Sequence, residues 1–112
     1  MIVDDHAETR RLIRDLLGGL AVAVCECTSG EEAVRRCEEF KPDFVTMDLK
    51  LTTINGLEAT REILARLPAE VVIVTDSDTV ELRRAALRAG ATGCFSKNNL
   101  APLLRHFETS TG

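Results

Sequence analysis

Short runs of β-branched and apolar residues alternate along this chain with stretches in which apolar residues return every three or four positions, and few folds accommodate that alternation. The strand-like runs are residues 2–3, 21–27, 43–47, 70–75 and 92–96, bounded by turn-forming residues as strands usually are. Between them, Leu12, Ile13, Leu16, Leu17 and Leu20 keep helical spacing, as do Ala33, Val34 and Cys37, and then Leu57, Thr60, Ile63, Leu64 and Leu67. A fourth helix is expected behind Ser77 or Asp78, and a fifth, capped by Asn98 or Asn99, through Leu103, Leu104 and Phe107. Strands that are apolar almost throughout and separated by helices form a parallel sheet covered on both faces, with right-handed crossovers. The expected class is a doubly wound α/β domain.

Punctuation agrees with that reading. Ser29 with Glu32 three residues on is a capping-box signature, Pro68 stops the third helix, and Gly90 stands where a left-handed C-terminal cap belongs. With 112 residues the chain is long enough for one core and short of two. The expected division is a domain over residues 1–107, with residues 108–112 a polar tail or the start of a linker.

Composition excludes several classes of function. A net charge of -4 leaves no cationic excess for a phosphate backbone, so this segment is not expected to bind nucleic acid. No apolar run approaches the roughly 20 residues needed to span a bilayer, and the expected location is the cytoplasm. The four cysteines, Cys25, Cys27, Cys37 and Cys94, contain no CxxC pair and follow no secretory leader. They read as reduced, buried small hydrophobes, with Cys25 and Cys27 on one face of their strand.

In a sheet of this kind, ligand chemistry collects beyond the carboxyl ends of the strands. The polar residues there are Asp4 and Asp5, Asp48, Thr75 and Lys97. Each alone has an ordinary explanation. Asp5 reads as a helix N-cap, and a lysine at a strand end is usually just solvated. Together they carry chemistry. Clustered carboxylates stay ionised only beside a cation, and hard oxygen ligands suit Mg²⁺ of the kind that handles phosphate. A mobile ammonium and a hydroxyl are the groups that neutralise and hydrogen-bond phosphoryl oxygens.

With "VDDH", "TMDLKLTTING", "VIVT" and "FSK" in this order, the chain resembles the receiver domains of two-component response regulators, over essentially its whole length. The resemblance implies a flavodoxin-like sheet of strand order 2-1-3-4-5 with five helices. It implies that Asp48 accepts a phosphoryl group from a sensor histidine kinase or phosphotransfer protein, and that Asp4, Asp5, Asp48 and the backbone carbonyl of Lys50 hold Mg²⁺. Thr75 and Lys97 would bind the phosphoryl oxygens. The only catalysis implied is of the domain's own phosphorylation and dephosphorylation. A homodimer through the fourth helix, fifth strand and fifth helix, and a C-terminal DNA-binding domain outside this chain, are the partners it suggests. Lys50 and Ser77, each two residues past a key side chain, would flank the path of the hydrolytic water.

The chain departs from the family pattern at several positions. Thr52 replaces the usual proline, Asp76 a small residue, Cys94 the aromatic switch and Asn98 the proline after the lysine. Phe95 is adjacent to Cys94, but alternation points it to the opposite face. The first strand is short enough to suggest a trimmed start. These departures motivate an alternative, a receiver-like interaction module independent of phosphorylation. A remoter one, an aspartyl-phosphate phosphohydrolase, requires a second acid where this chain has Lys50.

Overall fold

The apolar runs become a five-stranded parallel sheet, as the patterning implies, in the order β2-β1-β3-β4-β5 that the resemblance implies. The computed structural model describes residues 1–19, 23–50, 54–77 and 79–111. Leu20, residues 21–22, Thr52 and Asp78, which figure in the expectations above, lie outside them. The elements run β1 (Ile2–Val3), α1 (Ala7–Leu17), β2 (Glu26–Cys27), α2 (Gly30–Phe40), β3 (Phe44–Met47), α3 (Gly56–Arg66), β4 (Glu70–Thr75), α4 (Val80–Ala89), β5 (Gly93–Ser96) and α5 (Ala101–Thr111).

Successive strand residues point to opposite faces, and each face has its own core. Val3, Val45, Met47, Val71, Ile73 and Cys94 meet Ala33, Cys37, Ala59, Ile63 and Ala86 of α2, α3 and α4 on one side. Ile2, Phe44, Val72 and Val74 meet Ile13, Leu17, Leu103 and Phe107 of α1 and α5 on the other. Burial on both faces is why the strands carry so little polar alternation.

β2 is shorter than the run at residues 21–27. It is an edge strand next to β1, whose two residues pair on that side with Glu26 and Cys27. A ladder cannot outlast its partner. β3 begins at Phe44 and β5 at Gly93, each a residue inside the expected run.

Some helix ends follow local signals and others follow tertiary contacts. The Ser29 hydroxyl accepts the Glu32 N–H at 3.1 Å. Glu32, however, reaches past Ser29 to the N–H of Thr28 at 2.7 Å, so the box closes one residue early. Gly90 takes the left-handed conformation with φ 105°, which costs other residues Cβ strain. α4 is capped by Thr79, which accepts the Leu82 N–H, and not by Ser77. Asp5 does not cap α1, whose N-cap is His6; the side chain of Asp4 accepts the His6 N–H instead. Asn98 and Asn99 sit in a turn closed on Ser96, and α5 starts two residues later, at Ala101. Residues 108–111 continue α5. Leu12 is 58% exposed, because the buried face of α1 is centred on Ile13 and Leu17 and leaves it one position off the stripe.

Candidate functional site

Three of the five residues at the strand ends are pinned by backbone hydrogen bonds that prolong the ladder past each strand. Asp4 N–H donates to Cys27, Asp48 N–H to Val3 and Lys97 N–H to Thr75, at 3.1, 3.0 and 2.9 Å. The sheet therefore delivers these side chains to one edge with little backbone freedom. The Lys97 ammonium lies 2.8 Å from Asp4 Oδ2 and 3.2 Å from Asp48 Oδ1. Both aspartates are buried, at 1% and 3% exposure, so the lysine neutralises two carboxylates that water cannot.

Thr75 is fully buried at the end of β4, and its hydroxyl accepts the Ser77 N–H at 3.1 Å. Asp5 stands at the rim, its carboxylate 2.9 Å from His6 Nδ1. The Lys50 amide lies 3.4 Å from Asp48 Oδ1, which keeps the Lys50 backbone beside the carboxylate. All the expected residues thus gather at one edge, with Asp4, Asp48 and Lys97 in direct contact.

Two features were not legible in the residue pattern. His6 joins the acidic cluster: one ligand atom each from Asp4, Asp5, His6 and Asp48 lie within 4.8 Å of one another. Its only signal was its place directly after the acid pair. Arg10, one helical turn later, donates to the Asp4 carbonyl at 2.7 Å and pairs with Glu26 on β2, tying α1 to the pocket.

The donor set fits a hard divalent cation, being three carboxylates at one edge of the sheet. A second observation points the same way: Asp48 Oδ2 is buried with no hydrogen-bond partner, a costly state for a carboxylate oxygen. Burial, then the charge of Asp4, pushes the Asp48 carboxyl above its ordinary range, with Lys97 opposing. For Lys97, burial pulls downward, but its hydrogen bond to Asp4 and the charge of Asp48 outweigh that and leave its pKa raised.

The sign of the resulting stability effect follows. A carboxyl whose folded pKa is raised binds its proton more tightly in the folded state. Stability then falls as pH climbs from the ordinary value of 3.8 through the raised one. At pH 7 the ionised Asp48 is a liability in the metal-free protein. Asp48→Asn is expected to stabilise the metal-free domain at pH 7 by on the order of 1–2 kcal/mol, the scale of one unsatisfied buried acceptor. The gain should vanish near pH 4, and urea unfolding at the two pH values measures it. A variant no more stable than the parent at pH 7 would contradict this electrostatic account.

The departures from the family pattern also have defined positions. Cys94 is buried on the α4 side of the sheet, and Phe95 points to the other face, edge-on to His106 with centroids 5.3 Å apart. Asp76 is exposed and paired with Lys50. Among the described residues no peptide bond is cis, that between Lys97 and Asn98 included. All four cysteines are buried, and burial pushes the Cys27 thiol up to about 12, the state of an inert core thiol.

Comparison with known proteins converges on one family. The model of the response regulator receiver domain matches residues 1–107. Response regulator GacA of Pseudomonas viridiflava is 42% identical over 101 residues, covering 87% of this chain and 47% of that protein. The chain therefore spans about half the length of that relative. Chemotaxis protein CheY of Thermotoga maritima is 36% identical over 93 residues, 81% of this chain and 78% of that protein. Among solved structures, a two-component response regulator of the LuxR family from Aurantimonas sp. SI85-9A1 superposes with a TM-score of 0.89 at 34% identity, covering 99% of this chain and 82% of that one.

Proposed function

Because the chain belongs to the response regulator receiver domain family, we propose that Asp48 is its phosphoacceptor and that Asp4, Asp5, Lys97 and Thr75 serve that reaction. The observation that carries the reading is the unpartnered Asp48 Oδ2, buried beside an ammonium that already binds the other oxygen of the same carboxylate. Oδ2 supplies the electron pair that forms the bond to phosphorus. The bond from phosphorus to a phosphohistidine nitrogen of a sensor kinase or phosphotransfer protein breaks, and the imidazole keeps that electron pair and takes up a proton.

Lys97 is placed to release Asp48 and follow the charge onto the phosphoryl oxygens, and Thr75 to donate its hydroxyl to another. Asp4, Asp5, Asp48 and the Lys50 carbonyl would hold Mg²⁺, whose charge, when bound, offsets that of the carboxylates and the phosphoryl group. His6 is positioned to orient Asp5.

Recruitment of Thr75 to the phosphoryl group would disturb its bond to Ser77 and the start of α4, altering the surface made by α4, β5 and α5. With Cys94 in place of an aromatic ring, that signal must pass through backbone and α4 packing. This surface would then mediate a homodimer or dock an output domain of DNA-binding type beyond this segment. No described helix is long and apolar enough to cross a membrane, which accords with a cytoplasmic site of action. The phosphorylation-independent reading is not favoured, since the acidic pocket is assembled with its lysine in place.

Incubation with Mg²⁺ and acetyl phosphate is expected to add one phosphoryl mass to the protein, labile to hydroxylamine, and Asp48→Asn should take up none. Labelling that survives in Asp48→Asn would assign the acceptor elsewhere. No labelling from acetyl phosphate or a cognate kinase would restore the constitutive module.

A further inference from the structure

A histidine stands where a helix N-cap usually carries a hydroxyl, amide or carboxylate, and it does no capping. His6 is the N-cap of α1, yet its side chain makes no cap hydrogen bond, although Ser, Thr, Asp and Asn are the residues that stabilise this position. The ring turns to the acids instead. Its Nδ1 lies 2.9 Å from Asp5 Oδ1 and 3.2 Å from Asp4 Oδ1. A metal–ligand bond of roughly 2.1 Å puts neighbouring octahedral ligands about 3.0 Å apart. Both separations therefore match adjacent ligands on one ion.

The backbone holds the ring in that place. The His6 N–H donates to Asp4 Oδ1 at 2.8 Å, and the His6 carbonyl accepts the Arg10 N–H at 3.1 Å. Lys97 engages Asp4 Oδ2 and Asp48 Oδ1, which leaves the other oxygen of each carboxylate outside that contact. One of these, Asp48 Oδ2, belongs to a residue 3% exposed and has no hydrogen-bond partner.

We propose that His6 Nδ1 is a fourth side-chain ligand at the cation site of Asp4, Asp5 and Asp48, and that it gives the site a preference for first-row transition dications such as Co²⁺, Ni²⁺ and Zn²⁺ over Mg²⁺. The proposal rests on the cation site of the functional reading and adds a ligand and a selectivity to it. Imidazole nitrogen suits these ions, whereas Mg²⁺ takes carboxylate oxygens and keeps water. Coordination uses the Nδ1 lone pair, with the ring proton on Nε2. With Mg²⁺ the ring keeps its bond to Asp5.

A histidine that only orients Asp5 affects every cation alike, while a ligand affects those that take nitrogen. Co²⁺ and Mg²⁺ affinities of the parent, His6→Phe and His6→Asn would be measured by calorimetry. Phenylalanine keeps a ring without a donor, and asparagine keeps a polar group for the acids without the ring nitrogen. In both variants the ratio of Co²⁺ to Mg²⁺ affinity is expected to fall by about tenfold or more, the low end of what even an outer partner of a metal ligand is worth. The Co²⁺-loaded parent should show a hyperfine-shifted, exchangeable imidazole N–H signal in its proton NMR spectrum. That signal should vanish in His6→Phe and persist in His106→Gln, which alters the chain's other histidine, paired with Glu70.

A fall of both affinities by the same factor, or a signal lost in His106→Gln and kept in His6→Phe, overturns the ligand. A parent that takes Co²⁺ through His6 but accepts no phosphoryl group upholds the ligand and overturns the functional reading. A parent phosphorylated in Mg²⁺ whose Co²⁺ affinity ignores both substitutions does the reverse. A parent that binds neither ion ends both.

Discussion

Lys97→Met should destabilise the metal-free domain by about 3 kcal/mol at neutral pH, the scale seen when one partner of a buried ion pair is removed. The methionine keeps most of the lysine stem and discards the charge. Asp4 and Asp48, 1% and 3% exposed, then face each other with no cation between them. The folded protein will relieve the repulsion by taking up a proton, so the already raised pKa of Asp48 rises further. Stability of the variant should accordingly fall as pH climbs from the ordinary carboxylate value through that raised one, with the deficit smallest near pH 4 and fully developed at pH 7. Adding Mg²⁺ should return part of the loss, since a divalent ion replaces the missing charge. Urea unfolding at both pH values, with and without Mg²⁺, reads all of this. A deficit of equal size at each pH would mean that Lys97 contributes packing and not charge.

The parent should also lose stability with rising pH at the alkaline end. The folded pKa of Lys97 is raised above 10.5. Its contribution is therefore complete below 10.5 and disappears as pH rises through the folded value.

The second large effect is expected at Gly56. This residue opens α3, and its N–H donates to the Leu49 carbonyl at 3.0 Å. A Cβ there would lie 2.0 Å from the Asp48 carbonyl oxygen, 2.9 Å from its carbon and 3.0 Å from Leu49 Cα. All three are backbone atoms at the end of β3, so no side-chain rotation makes room. Gly56→Ala should destabilise the fold by about 2–3 kcal/mol, the usual scale of overpacking. It should also slow phosphorylation by acetyl phosphate by more than about tenfold, because the strain falls on the peptide that aims Asp48. Gly19→Ala is the matched control, as nothing lies within 4 Å of its Cβ position. It should unfold within about 0.5 kcal/mol of the parent. If Gly56→Ala behaves like Gly19→Ala, the contact between α3 and the end of β3 is looser than the geometry states.

The two glycines show how unevenly a sequence announces its constraints. Gly90, at the end of a helical pattern, was legible as a left-handed cap, because the demand there is for a local backbone angle. Gly56 could be noted in the sequence as the end of a loop, but its reason is a contact with Asp48, eight positions away in sequence. Caps behave likewise. Ser29 was found because its partner is three residues on. The expected cap at Asp5 failed because Asp4 supplies that hydrogen bond from inside the pocket, and Asp5 is drawn to His6.

What the sequence determined by itself is the class of fold and which polar residues stand at the strand ends. Hydrophobic period is a local property, so the alternation of period 2 and period 3.6 specifies strands, helices and a sheet buried on both faces. The topology rules then send Asp4, Asp48, Thr75 and Lys97 to one edge. Tertiary structure alone decided the length of β2, limited by the residues of β1 that pair with it, and the sharing of one ammonium between Asp4 and Asp48. It alone brought Lys50 to Asp76 across two loops. Each of these depends on the distance between segments remote in sequence, and a distance of a few ångströms between such segments exists only once the sheet has assembled.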